Sequence, residues 1–139
     1  MIHDWHIRRR TIALNALSVG LATGAYGISF GAISVLGGLT VLQTQFLSAL
    51  MFTGGSQFAL VGVLAAGGGA VSAVATSVLL GLRNAFYGVT MAPMLDVTGT
   101  TRLVAAHLTI DESTAMGVAQ SQEPDGYRGT KLAFWATGL

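Results

Sequence analysis

TIALNALSVGLATGAYGISFGAISVLGGLTVLQTQFLSALMFTGGSQFALVGVLAAGGGAVSAVATSVLLGL, Thr11 to Leu82, runs for 72 residues without one Asp, Glu, Lys, Arg or His. At the roughly 25% charge content of soluble domains, such a stretch would carry about 18. A soluble helix needs a charged face and a soluble sheet a polar one; this segment supplies neither. Hydrocarbon penalises each mid-span charge by about 2.5 to 3.5 kcal/mol, which accounts for the purge. The expected fold is an all-α polytopic membrane bundle, one membrane domain over residues 1–139. Charge returns as Arg83, His107, Asp111 and Glu112 inside further apolar segments. Ionisable groups at such depth are where function is sought.

Composition agrees, at 52% hydrophobic and 9% charged residues with a mean hydropathy of +0.64. Glycine reaches 19 of 139 residues, about twice the usual 7%. Two prolines and no Gly-X-Y repeat make that excess neither collagenous nor linker-like. A net charge of +1 without a long basic run offers nothing to nucleic acid. The lack of cysteine removes disulfides, thiolate metal sites and cysteine nucleophiles. No metal or cofactor is expected. Met1 to Arg10 resembles the start of a secretory signal, but the apolar run outlasts an h-region of about 7 to 15 residues and no polar mature domain follows.

A hydrocarbon core about 30 Å thick needs about 20 helical residues. Breaks at Gly37-Gly38, at Gly67-Gly68-Gly69 and from Asp96 to Thr100 predict four full spans near residues 12–36, 42–66, 70–94 and 101–119. Ser121-Gln122-Glu123-Pro124-Asp125-Gly126 predicts a polar turn, and a fifth apolar segment opens at Leu132. Eight residues after Lys131 make less than half a crossing, the pattern expected of a truncated N-terminal part of a longer permease-like protein. Arg8, Arg9 and Arg10 before span one, with Arg128 and Lys131 after span four, fall on one side after an even number of crossings. The positive-inside rule makes that side, and the N-terminus, cytoplasmic, and puts the loop before Arg102 outside. Trp5 beside the arginines fits an interfacial anchor or has no special role.

Ala13, Ala16, Gly20, Gly24, Gly27, Gly31, Ser34 and Gly38 recur near the helical period and form one small-residue stripe on span one. Ala70, Ala73, Ser77, Gly81, Gly88 and Ala92 repeat it on span three. Such stripes let helices approach closely in lipid, so packing is the plain reading for most of these glycines. The span midpoints fall at Gly24–Gly27, at Gly54-Gly55-Ser56-Gln57, near Arg83-Asn84 and near Asp111-Glu112. Glycine-interrupted helices and ionisable groups at one depth match the midplane substrate sites of secondary transporters. Arg83 is the expected counter-ion of Asp111. His107 and Asp111, at i and i+4, are expected to share a helix face. A buried ion pair with no transport role is the structural alternative.

Four blocks, in order, carry a family resemblance: Gly27-Ile28-Ser29-Phe30-Gly31; Phe52-Thr53-Gly54-Gly55-Ser56-Gln57-Phe58-Ala59; Leu82-Arg83-Asn84-Ala85-Phe86-Tyr87-Gly88; and Leu108-Thr109-Ile110-Asp111-Glu112-Ser113. Together they resemble the AzlC-type branched-chain amino acid permeases, which typically read FGxAFG, FAGASQF, NLRHxxYG and LxDES. The resemblance covers nearly all of this chain and about half of the family's length. It implies an exporter of branched-chain amino acids in a bacterial inner membrane, working with a small hydrophobic AzlD-type subunit. Ala25 stands where a proline usually precedes the first FG motif. Asn84 stands where histidine usually follows the arginine, so proton coupling does not carry over to that position.

On this basis amides freed at Gly54, Gly55 and Ser56, at the positive end of a half-helix, bind the substrate carboxylate. Gln57 and Asn84 orient it, with Phe58, Leu60 and Tyr87 around the aliphatic side chain. Asp111 or Glu112 faces the ammonium or carries a coupling proton. Two other classes compete. An intramembrane hydrolase would pair Ser56 or Ser113 with His107, but no GxSxG or HExxH pattern is present, and no enzyme activity is expected. A non-transporting scaffold or assembly subunit would need no midplane acid pair.

Overall fold

The computed structural model describes residues 2–51, 53–123 and 127–139. Phe52 of the second motif and Pro124-Asp125-Gly126 of the expected turn lie outside the described residues. Among the described residues the chain is all helix, without strands: α1 (Ile2–Leu36), α2 (Val41–Leu50), α3 (Gly54–Ala65), α4 (Ala70–Gly81), α5 (Arg83–Leu95), α6 (Gly99–His107), α7 (Asp111–Ala119) and α8 (Arg128–Gly138). Two stretches are long and apolar enough to cross a membrane, Trp5–Leu36 and Ala70–Leu95, the second running through α4 and α5. Only 11% of the most apolar window of each is buried. A core helix of a soluble protein hides its leucines; here Leu14, Leu17, Leu21, Ile28, Val71 and Leu79 are exposed. A surface so apolar needs lipid or further protein to cover it. The expected second and fourth spans are each broken in two. The chain divides into two compact units, Gly24–Ala85 and Met1–Thr23 with Phe86–Leu139.

In the Gly24–Ala85 unit, α1 ends where Gly38 takes a left-handed φ of +94°, letting the Leu39 N–H reach the Ser34 carbonyl at 3.1 Å. Thr40 and Gln43 then open α2 with a reciprocal capping box. After the break before Thr53, α3 packs on α1. The Tyr26 and Phe58 rings are 4.6 Å apart and those of Phe30 and Phe58 5.6 Å. A Cβ on Gly54 would meet the Tyr26 ring at 3.0 Å, and one on Gly37 would lie 3.4 Å from the Ala65 Cβ. The pairs 26 with 54, 30 with 58 and 37 with 65 keep one offset of 28 residues, so α3 runs parallel to the second half of α1.

That direction corrects the expected second span. Gly37 and Ala65 lie side by side, so the intervening chain leaves the end of α1 and returns to it. With 10 and 12 residues, α2 and α3 are about 15 and 18 Å long, each roughly half the hydrocarbon thickness. Residues 42–66 form a helical hairpin whose tip lies level with Tyr26 of α1, not a crossing. Gly67, at φ +79°, ends α3 as Gly38 ends α1, with the Gly68 N–H on the Val63 carbonyl at 2.8 Å. Helix α4 then packs back on α3, a Cβ on Gly81 lying 3.5 Å from the Ser56 hydroxyl. Ala73 and Ser77, on the Gly81 face, are buried, so this half of the span-three stripe packs as expected. The stripe of α1 is mixed: Ala16 and Ser34 are buried, but Gly20, Gly24 and Gly27 are exposed, and a Cβ on any of these glycines would meet nothing within 4 Å.

In the other unit, α7 and α8 form an antiparallel pair. A Cβ on Gly138 would lie 3.1 Å from Leu108, and one on Gly117 3.6 Å from Thr130. Met91, Leu95, Ala105, Leu108 and Phe134 make its apolar core. Arg8 donates through Nε and Nη2 to the Gln120 side-chain oxygen at 3.1 and 2.9 Å. The Arg128 guanidinium sits 4.1 Å over the Trp5 ring, a cation–π contact. The N-terminal arginines and the positive residues that open α8 therefore share one end of this unit, as the charge pattern expects. Trp5 gains a specific partner.

Candidate functional site

The tip of the α2–α3 hairpin is built by an amide, a hydroxyl and two glycines. Gln57 donates its side-chain N–H to the Met51 carbonyl and, at 3.5 Å, to the Leu47 carbonyl. The Leu47 carbonyl also accepts from the Met51 N–H at 2.9 Å, whereas the Met51 carbonyl lies past the last turn of α2. The side chain thus ties the two half-helices together. Thr53 occupies the N-cap of α3 yet makes no cap hydrogen bond. Its hydroxyl accepts instead from Arg83 Nη2 at 3.3 Å. The guanidinium lies against Gly55: a Cβ there would stand 2.7 Å from Nη2. The two glycines have separate reasons, Gly54 to admit the Tyr26 ring and Gly55 to admit Arg83.

Ser56 follows in the first turn of α3. It is 1% exposed, and its hydroxyl has no hydrogen-bond partner among the described residues. Asn84 Oδ1, next to Arg83, is likewise buried without one. Unsatisfied buried polar atoms cost about 1 to 3 kcal/mol each and need an explanation such as water or a ligand. Tyr26, Phe30 and Phe58 supply an apolar wall beside this polar tip. The unit therefore brings together Gly54, Gly55, Ser56, Arg83 and Asn84 of the expected residues. Leu60 is half-buried further along α3.

The remaining expected residues belong to the other unit. Tyr87 lies on α5, one turn after Arg83. His107 is the last residue of α6, and Asp111 and Glu112 fill the first turn of α7. Leu108–Ile110 separate the two helices, so the i, i+4 relation of His107 and Asp111 on one continuous helix does not hold. Ser113 secures this second break: its hydroxyl donates to the Leu108 carbonyl at 2.6 Å and accepts from the Ile110 N–H at 3.1 Å. The two carboxylates sit at the positive end of α7, where anionic side chains are favoured by about 0.3 to 1 kcal/mol. Thr53 and Tyr26 were not singled out as site residues from sequence, and Ser113 was named only as a hydrolase nucleophile. The signal was a hydroxyl residue within a few positions of each break, the residue type that bonds local backbone in place of a helix. Among the described residues no group of three His, Cys, Asp or Glu side chains could hold a metal.

The protein-family model described as AzlC protein matches residues 18–139. That family is associated with branched-chain amino acid transport. No curated protein and no solved structure matches the chain.

Proposed function

The chain belongs to the AzlC family, and from that membership we propose that it is a membrane transporter subunit that exports branched-chain amino acids. The observation that carries the proposal is the hairpin tip. A half-helix begins level with Tyr26 of α1, with glycines, a guanidinium and unpartnered buried hydroxyl and amide oxygens beside an aromatic wall. The substrate carboxylate binds the first-turn amides of α3, Asn84 Oδ1 accepts from the ammonium, and the aliphatic side chain rests on Tyr26, Phe30 and Phe58. Each buried CH₂ contributes about 0.8 kcal/mol, so valine and leucine are separated only weakly. In the other unit, Asp111 or Glu112 carries the coupling proton. A small hydrophobic AzlD-type subunit completes the transporter in the inner membrane of a bacterium, with the N-terminus in the cytoplasm.

Cells expressing the full-length protein with the partner subunit, given a pulse of valine-containing dipeptide, are expected to hold less intracellular valine than cells without it. Equal valine in both would leave the scaffold reading, in which the chain assembles other membrane proteins and moves no solute.

A further inference from the structure

We propose that Tyr26 sets the upper size of the side chain the site accepts, so that the protein takes aliphatic amino acids and turns away aromatic ones. The inference rests on the hairpin tip being the substrate site, and it adds which substrates that site refuses.

Attraction alone selects poorly between apolar side chains, because each buried CH₂ changes affinity by only about fourfold. Exclusion selects better: overfilling a rigid, close-packed space costs about tenfold or more. A wall excludes only if it cannot retreat, and Tyr26 is held on two sides. The Cδ1–Cε1–Cζ edge of its ring lies against Gly54, where a Cβ would stand 3.0 Å from Cε1. The ring also meets Phe58, with centroids 4.6 Å apart and planes tilted by 45°. Phe58 is backed in turn by Phe30, 5.6 Å away and only 4% exposed. Side chains packed in this way give little. Tyr26 is nevertheless 50% exposed, so of the three rings it presents the broadest free surface at the hairpin tip. An aliphatic side chain rests against that surface; a benzyl group, longer and unable to fold, has to displace the ring. Gly54 is then a positioning residue, because its missing side chain fixes where the ring edge stands.

The full-length chain, purified in detergent, tests this by competition among L-valine, L-leucine and L-phenylalanine. Valine and leucine are expected to bind within about fourfold of each other, and phenylalanine more weakly than leucine by about tenfold or more. Tyr26→Ala is expected to close that gap by admitting phenylalanine, while Tyr26→Phe, which keeps the ring, preserves it. Gly54→Ala, which must push the ring edge aside, is expected to change the leucine-to-phenylalanine ratio. Gly20→Ala, whose Cβ meets nothing within 4 Å, is expected to leave it alone. The ratio does not depend on how much of each variant folds, so it separates a size limit from general damage. Phenylalanine bound as tightly as leucine by the unaltered chain overturns the inference, as does a Tyr26→Ala protein that binds leucine and keeps the gap. Either result leaves the amino-acid site standing. No binding of any of the three removes both. Should Tyr26→Ala fail to fold, Gly54→Ala decides, and an unchanged ratio there overturns the inference.

Discussion

Gln57 and Asp111 show how differently two polar residues of one apolar chain are used. Gln57 holds the Leu47 and Met51 carbonyls, so Gln57→Leu would take that donor from the Met51 carbonyl, while the Leu47 carbonyl keeps the Met51 N–H. A destabilisation of about 1 to 3 kcal/mol is expected, read as a lower thermal unfolding midpoint in detergent. An unchanged midpoint would mean that the amide ties nothing. Asp111 in the first turn of α7 loses about 0.3 to 1 kcal/mol of macrodipole stabilisation when neutralised. Asp111→Asn is therefore expected to reach the membrane at normal abundance but to lose export in the dipeptide assay. Full export would return the carboxylate to a helix-capping role. At this scale the sequence made Gly54, Gly55, Ser56 and Arg83 legible, because glycine, charge and hydroxyl at mid-span have few innocuous explanations. The tie made by Gln57 was not legible, because its partner carbonyls lie six and ten residues back, a distance set by how the chain turns and not by helical periodicity.

The α2–α3 hairpin is where element-level reading and structure part. A 25-residue apolar window satisfies the length test for a crossing, and length carries no direction. The interruption was placed at Gly54-Gly55, but the break precedes them and those glycines open the new helix. Nothing in Met51 or Thr53 resembles turn chemistry; no proline or Asn-Gly pair announces the reversal. What reveals it is the pairing of Gly37 with Ala65 and of Tyr26 with Gly54. Because the chain has no cysteine, single Val41→Cys and Ala66→Cys variants report sidedness cleanly, both native residues being exposed. Both are expected to react with a membrane-impermeant thiol reagent from the same face. Labelling from opposite faces would restore residues 42–66 to a through-going span.

For the molecule as a whole, positive charge gives orientation and glycine gives association, and the two are legible to different degrees. Arg8 on Gln120 and Arg128 on Trp5 gather the positive residues at one end of their unit, as the count of arginines foretold. Ile7→Cys and Ser121→Cys are accordingly expected to resist an impermeant reagent on intact cells and to react in inverted vesicles. Divergent labelling of the two positions would break the shared end. The stripe on α1 was equally plain in sequence, yet a Cβ added at Gly20, Gly24 or Gly27 would meet nothing within 4 Å. Periodicity tells which face is smooth; it does not tell what lies against it.

The hairpin also dictates an order of manufacture. Helix α3 rests on α1, already made when it emerges, and on α4, not yet made. While α4 is unfinished, the insertion machinery meets an apolar stretch as long as a crossing and has no signal that it should turn around. Each copy of the protein therefore passes through a stage in which the future candidate site is a bare segment with half its walls missing. Translation arrested just after Ala66 is expected to yield a protease-sensitive hairpin that becomes protected once Ala70–Leu95 has been added. The site thus matures only with synthesis of the helix that delivers Arg83.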